Sequence, residues 1–314
     1  MMSFSSYCKD EASKIKIEYG HCKIALLEAL LRENSEIIRR GSNFVLSFSS
    51  SLTMATTLFC TLMKELYNQN DLAIITKESN RFGKQKSYIV EIEDASLIIQ
   101  DLGLLYAESP NHKDYESREC CIKAYLRGAF IACGSVNDPA KSDYHLELAL
   151  SDDAEAIYVL RLINHFDLNA KLIKRRNDFI IYIKEVEKIK DFLRIIGITQ
   201  MVFKFEEVQI QREFKNDLNR KVNSEIANEM KTLSASRQQL AYIQYLEYNY
   251  PLEKMDPKIL LIMKVRKEHP DSSFKELIDI LNNEYQEPIT KSGLNHRFRK
   301  IKELAEEIKH NKEA

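Results

Sequence analysis

The segment Tyr125-Leu126-Arg127-Gly128-Ala129-Phe130-Ile131-Ala132-Cys133-Gly134-Ser135-Val136-Asn137-Asp138-Pro139 decides how the rest of the chain is read. Tyr125–Ala132 is almost wholly apolar and predicts a buried helix, and Asn137-Asp138-Pro139 predicts a loop beyond it. In Tyr144–Leu150, Leu146, Leu148 and Leu150 alternate with His145, Glu147 and Ala149, the two-residue period of a strand. Asp152–Phe166 follows as a helix, with Asp152 and Glu155 at capping-pair spacing. Strands at Ala170–Lys174 and Phe179–Ile183 flank a turn at Arg176-Asn177-Asp178, and a further helix ends at Ile196-Gly197.

The same order occurs upstream. An apolar helix over Cys22–Glu33 precedes Ile37-Ile38, a turn at Arg40–Asn43 and the strand Phe44–Phe48. A helix from about Leu52 to Tyr67 comes next, then strands Leu72–Thr76 and Tyr88–Ile92 and a short helix near Leu102-Gly103. Gly103 and Gly197 lie 94 residues apart. Each copy reads helix, hairpin, helix, hairpin, helix, which is an internal duplication.

Composition bounds what such a chain can be. Its 314 residues suggest about two domains, and 44% apolar with 30% charged residues excludes a disordered tail. Eight Gly and six Pro favour helices over a loop-rich all-β fold. Lys+Arg 46 against Asp+Glu 47 leaves a net charge of −1, so any nucleic-acid surface is local. Polar Lys9, Asp10, Glu11 and Lys14 follow Met1–Cys8, and no run of eighteen apolar residues occurs. Neither a secretory signal nor a membrane span is expected, and the expected location is cytoplasmic. Six cysteines without a C-x-x-C, and without Cys/His spacing that fits zinc, read as reduced, buried cysteines of a cytosolic protein. No metal and no cofactor are expected, and neither a Gly-rich phosphate loop nor G-x-S-x-G is found.

Residues 206–223 are polar and Asn-rich and read as a connecting element, partly helical, between a two-repeat domain (1–205) and a helical domain (224–314). Asp256-Pro257 starts a helix that Pro270 stops near His269, and Ser273-x-x-Glu276 is a capping box opening Phe274–Asn282. After a polar turn, Thr290 or Ser292 caps a last helix running through Ile308. Helix, turn and longer basic helix outline a helix-turn-helix over about 272–305. Lys291–Lys302 reads KSGLNHRFRKIK, with five Lys/Arg, one His and no acid. Leu294, Phe298, Ile301, Ala305 and Ile308 form one stripe at helical spacing, which predicts core. Ser292, Asn295, His296 and Arg299 lie away from it, with Lys291, Arg297, Lys300 and Lys302 as phosphate-directed cations. These side chains suit base edges and phosphates; a solvated amphipathic helix is the plain alternative. Lys171, Lys174, Arg175 and Arg176 crowd one hairpin tip, and Arg81, Lys84 and Lys86 the equivalent loop upstream. They are candidate backbone contacts, with solvated tips as the alternative.

Three segments carry a family resemblance: Tyr125–Pro139; Asn219-Arg220 with Asn223, Glu225, Ala227-Asn228 and Lys231; and Lys291–Lys300. Together they resemble the WhiA family, in the family's order and across Cys22 to Ile308. The resemblance implies an α+β fold: a duplicated LAGLIDADG homing-endonuclease-like domain, with helices beside a saddle sheet, followed by an all-α helix-turn-helix domain similar to a sigma-factor promoter-reading domain. It also implies a bacterial DNA-binding regulator linked to sporulation, or to cell division and chromosome segregation. In active LAGLIDADG nucleases an acid ends each motif and holds the metal. Here Leu126–Gly134 places Cys133 at that position and Ile131 at the earlier acidic one, whereas Leu27–Ser35 places Asn34, or Glu33 in a register shifted by one. No nuclease activity is therefore expected. Glu28 or Ala29 replaces the motif glycine in the first copy, so looser helix packing is expected there. The expected partner is duplex DNA, with a sigma factor or small regulatory protein as a further candidate. An internal pseudo-dimer needs no second chain, so a monomer associated with the nucleoid is expected. The alternative functions are a protein-interaction scaffold contacting the transcription machinery and a residual LAGLIDADG nuclease.

Overall fold

The computed structural model describes residues 2–41, 43–79, 85–105, 114–141 and 143–313. The chain divides into two compact units, Met1–Arg212 and Glu213–Ala314. The first opens with a helix that the sequence pattern did not disclose, α1 (Phe4–Lys14), which buries Phe4, Cys8 and Ala12 in the unit's core. The first repeat then runs α2 (Gly20–Asn34), β1 (Ser35–Arg40), β2 (Asn43–Ser50), α3 (Thr53–Tyr67), β3 (Ile74–Ser79), β4 (Gln85–Ile92) and α4 (Ser96–Asp101). The second runs α5 (Glu119–Cys133), β5 (Gly134–Val136), β6 (Leu146–Leu150), α6 (Asp153–Asn164), β7 (Lys171–Arg175), β8 (Asp178–Ile183) and α7 (Val186–Ile195). The duplication is therefore real. Each repeat builds a four-stranded antiparallel sheet, ordered β1-β2-β4-β3 in one and β5-β6-β8-β7 in the other. In β6 the alternation holds as expected, with Leu146, Leu148 and Leu150 buried and Glu147 and Ala149 half-buried.

α2 and α5 join the repeats. Both are apolar nearly all round, as helices buried on most sides must be. The looser packing expected at Ala29 is corrected here. A Cβ built on Gly128 would stand 2.4 Å from the Leu26 carbonyl oxygen and 3.0 Å from the Ala29 Cβ. One glycine, on one side only, suffices for close approach of the backbones.

Residues 206–223 form no break in helix. α8 (Gln200–Asn249) passes through them, because neither Gly nor Pro occurs between Gly197 and Pro251 to end it. Its N-terminus is capped from far away in sequence. The Glu11 carboxylate of α1 accepts from the backbone N–H groups of Thr199 (2.7 Å), Gln200 (2.8 Å) and Met201 (2.9 Å). The second unit continues through a 3-10 turn (Leu252–Lys254), α9 (Pro257–Glu268), α10 (Phe274–Asn283) and α11 (Lys291–Glu313). Asp256 caps α9 through the Lys258 N–H, with Pro257 at its first position. No described helix is long and apolar enough to cross a membrane.

Candidate nucleic-acid interface

The helix-turn-helix is set by local signals supported by a small core. Ser273 and Glu276 form the capping box reciprocally: the Ser273 N–H donates to Glu276 Oε2 (2.6 Å) and the Glu276 N–H to Ser273 Oγ (3.3 Å). In the turn, the Ile289 N–H donates to Asn282 Oδ1 (2.8 Å). The Gly293 N–H donates to Thr290 Oγ1 (3.2 Å), so Thr290 takes the cap and Ser292 stays on the exposed face.

Leu294, Phe298, Ile301 and Ala305 are buried, with Ile308 packed at the stripe's end. Phe274 of α10 stacks on Phe298 at 5.4 Å between ring centroids. Beneath these rings lies a residue the sequence pattern did not single out, Arg266. It is 1% exposed, and its guanidinium sits over Phe298 (5.5 Å) and Phe274 (5.9 Å) and donates to the Ser272 carbonyl (2.7 Å). Burial pushes its pKa down to about 10. It is a structural cation, tying the carbonyls beyond α9 to the floor of the basic helix.

The structure places Ser292, Asn295, His296 and Arg299 on the exposed side of α11, with Lys291, Lys300 and Lys302 exposed around them. Arg299 Nη2 meets His296 Nδ1 at 3.1 Å, and Arg299 Nε lies 3.5 Å from Glu303 Oε1. Lys302 pairs loosely with Glu306 (3.7 Å). Arg297 differs from the rest: it is half-buried, and its Nη2 donates to Glu287 Oε1 at 3.3 Å. Lys258 meets the same oxygen at 3.0 Å and, with Arg297, holds the Glu287 carboxyl below its usual range. Arg297 thus fastens α11 to the turn, whereas its neighbours face outward.

At the hairpin, Lys171, Lys174, Arg175 and Arg176 are all exposed. The turn is shorter than expected. Arg175 pairs with Asp178, leaving only Arg176-Asn177 between strands, with Arg176 at φ +57. Strand alternation divides the cations. Lys174 shares the face of Leu172, which packs on the core, and lies over the Phe179 ring (5.1 Å); Lys171 and Arg175 belong to the opposite face. The four do not form one patch. Of the upstream loop, Arg81 and Lys84 lie outside the described residues, and Lys86 pairs with Glu78 at 3.3 Å.

The positions where a LAGLIDADG nuclease needs acids are the last residues of α2 and α5, Asn34 and Cys133. Ile131 is fully buried, and the Cys133 thiol donates to the Ala129 carbonyl (3.3 Å), with burial pushing its pKa up. An amide and a protonated thiol do not suit a hard, oxygen-seeking cation. Glu33 brings a carboxylate nearby, but it is engaged by the Ser151 backbone N–H and hydroxyl (both 3.2 Å). Burial, with Glu155 and Asp152 adding to it, raises Glu33 to about 7. Deeper between the repeats, Arg32 binds Glu28 (2.7 Å) and Glu155 (3.3 Å), and Tyr115 and Tyr125 donate to those acids at 2.6 Å each. These carboxylates are already used by the structure.

The expectation that no Cys/His set fits zinc rested on linear spacing, which does not show what the fold brings together. The first turns of α2 and α5 bring together His21, Cys22, Cys120 and Cys121, about a hundred residues apart in sequence.

A pair of LAGLIDADG-like repeats followed by a helix-turn-helix unit defines the class of this protein. Comparison with known proteins gives the same architecture. The WhiA N-terminal LAGLIDADG-like domain matches residues 20–105, the WhiA LAGLIDADG-like domain residues 122–215, and the WhiA C-terminal HTH domain residues 218–305. A protein of Oceanobacillus iheyensis named "Probable cell division protein WhiA" is 37% identical over 98% of both chains. One of the same name from Staphylococcus epidermidis is 36% identical over 99% of both. Among solved structures, full-length DUF199/WhiA from Thermatoga maritima is similar in fold, with a TM-score of 0.60 at 23% identity, covering 98% of this chain and 99% of that one. The chain belongs to the WhiA family.

Proposed function

We propose that this protein is a bacterial DNA-binding regulator of cell division that reads duplex DNA with α11 and does not cut it. The observation that carries this reading is the division of α11 into two faces. One is anchored by Leu294, Phe298 and Ile301; the other presents Ser292, Asn295, His296 and Arg299 at successive turns, flanked by Lys291, Lys300 and Lys302 and free of acids until Glu303. Base-reading groups within a cationic surround are what major-groove recognition demands. The cell-division role rests on the name borne by the relatives; chromosome segregation or sporulation, and a place on the nucleoid of the cytoplasm as a monomer, extend that reading. The absence of cleavage rests on Asn34 and Cys133 at the helix ends.

Chromatin mapping tests the proposal. Wild-type protein is expected to give discrete sites, and the quadruple alanine variant of Ser292, Asn295, His296 and Arg299 to lose them at equal abundance; unchanged peaks would refute it. Magnesium- or manganese-dependent nicking of supercoiled plasmid that disappears with Glu33→Gln would refute the non-nuclease part.

One observation favours a second reading, a scaffold for a sigma factor or small regulatory protein. Within α8, Phe214, Leu218, Val222, Ile226 and Met230 are exposed at four-residue spacing, an apolar ridge of the kind protein partners cover.

A further inference from the structure

α2 and α5 meet along their length, and their two ends differ in chemistry. At the C-terminal ends lie Asn34 and Cys133, which suit no hard cation. At the N-terminal ends, His21 and Cys22 from the first turn of α2 face Cys120 and Cys121 from the first turn of α5. Three of the chain's six cysteines converge there, and the four potential ligand atoms all lie within 4.8 Å of one another. His21 Nδ1 is 3.2 Å from Cys121 Sγ and 3.3 Å from Cys22 Sγ. In a tetrahedral zinc site of three sulfurs and one nitrogen, with Zn–S about 2.3 Å and Zn–N about 2.0 Å, ligand atoms stand roughly 3.5–3.8 Å apart, so only small side-chain adjustments separate this cluster from one.

We propose that His21, Cys22, Cys120 and Cys121 form a structural site for a thiophilic divalent cation, zinc foremost, that clips the two repeats together. Three soft sulfurs and one imidazole select zinc over magnesium or calcium, and four protein ligands make a closed site of the structural kind. Binding needs deprotonated thiols; burial and the neighbouring thiols hold Cys22 and Cys121 above their usual range, so the cation must displace their protons. The two helix N-termini and Arg118 beside Cys121 offset part of that cost. The Tyr19 ring stacks on His21 (5.3 Å, 6°) and fixes the imidazole's plane. Cys120 is exposed, and a shallow recess bordered by Tyr19, Lys123 and Arg127 leads to the cluster, giving an ion a way in. The other three cysteines, Cys8, Cys60 and Cys133, stand outside the cluster and serve as internal controls.

The test uses the full chain, reduced and stripped with chelator, titrated with cobalt(II) chloride and then zinc chloride. One cobalt per chain is expected, with the intense visible bands of tetrahedral sulfur-rich cobalt and a sulfur-to-cobalt charge-transfer band, all removed by one equivalent of zinc. Thermal stability should rise with zinc. His21→Ala and Cys120→Ser should each weaken zinc binding by more than the roughly 10–100-fold that losing an outer hydrogen-bond partner of a ligand costs, while Cys60→Ser leaves it unchanged. A second measurement needs no variant: saturating zinc should shield Cys120 of the wild type from alkylation, as mapped by mass spectrometry. Weak octahedral cobalt bands, full bands surviving in His21→Ala, or a freely alkylated Cys120 under zinc would each overturn the proposal. So would a disulfide among Cys22, Cys120 and Cys121 whose reduction yields no metal uptake.

Discussion

Gly128 faces the carbonyl of Leu26 so closely that a methyl group on its Cα would stand 2.4 Å from that oxygen. The contact sets how near the two repeats approach, because backbone cannot yield as a flexible side chain can. Gly128→Ala is expected to destabilise the first unit by at least the 1–3 kcal/mol typical of overpacking, measured by urea unfolding. Gly20→Ala is the control. An added Cβ there meets nothing within 4 Å, so the change should be neutral or slightly stabilising. Equal stability of both variants would mean that the α2–α5 interface is slack.

Two arginines two positions apart on α11 should behave oppositely. Arg299→Ala is expected to weaken specific DNA binding by roughly 1–3 kcal/mol, the worth of a good base contact, with melting temperature unchanged. Arg297→Ala should instead lower stability, by about 1 kcal/mol, through loss of the Glu287 pair and of stem packing. Gel-shift titration at fixed salt and calorimetry on both variants separate the roles; the reverse pattern would assign them wrongly.

The state of Glu33 should show in the pH dependence of stability. Burial raises its pKa to about 7 in the folded chain, from the 4.5 of an unperturbed glutamate. A raised carboxyl stabilises the fold fully below about pH 4.5 and loses that contribution as pH climbs through 7. Glu33→Gln, neutral throughout, is therefore expected to be the more stable protein at pH 8 by about 1–2 kcal/mol, discounted for partial solvation, with the gain shrinking toward pH 5. A stability difference independent of pH between 5 and 8 would show that Glu33 ionises normally.

The hairpin between β7 and β8 is tested by salt. For duplex DNA, log affinity falls with log salt by about 0.9 per phosphate neutralised. If Lys174, Arg175 and Arg176 all contact backbone, their triple alanine variant should flatten the slope by about 2–3 units while barely changing the preference for specific over random DNA. Because Lys174 and Arg175 lie on opposite faces of β7, we expect the smaller end of that range. A slope equal to wild type would make the tip a solvated turn. The single variant Lys300→Ala on α11 should flatten it by about 0.9.

What the sequence determined by itself is what depends on neighbours in the chain. The period of two in Leu146–Leu150, the capping box Ser273–Glu276, the Pro257 start and the Leu294–Phe298–Ile301 stripe are all formed within about one or two turns of helix or one strand, so residue type and spacing suffice. The duplication was legible for the same reason, as one local pattern written twice. α1 was not, because most of its residues are polar and its burial comes from the core it covers. The tertiary structure alone decided the rest. Glu11 caps a helix 188 residues away, Glu287 claims Arg297 across the turn, and Gly128 matters because of Leu26 on another helix. His21 meets Cys121 a hundred positions later for the same reason. Helix packing fixes such pairs through shape and close approach, and these depend on where two segments cross rather than on the order of residues within either.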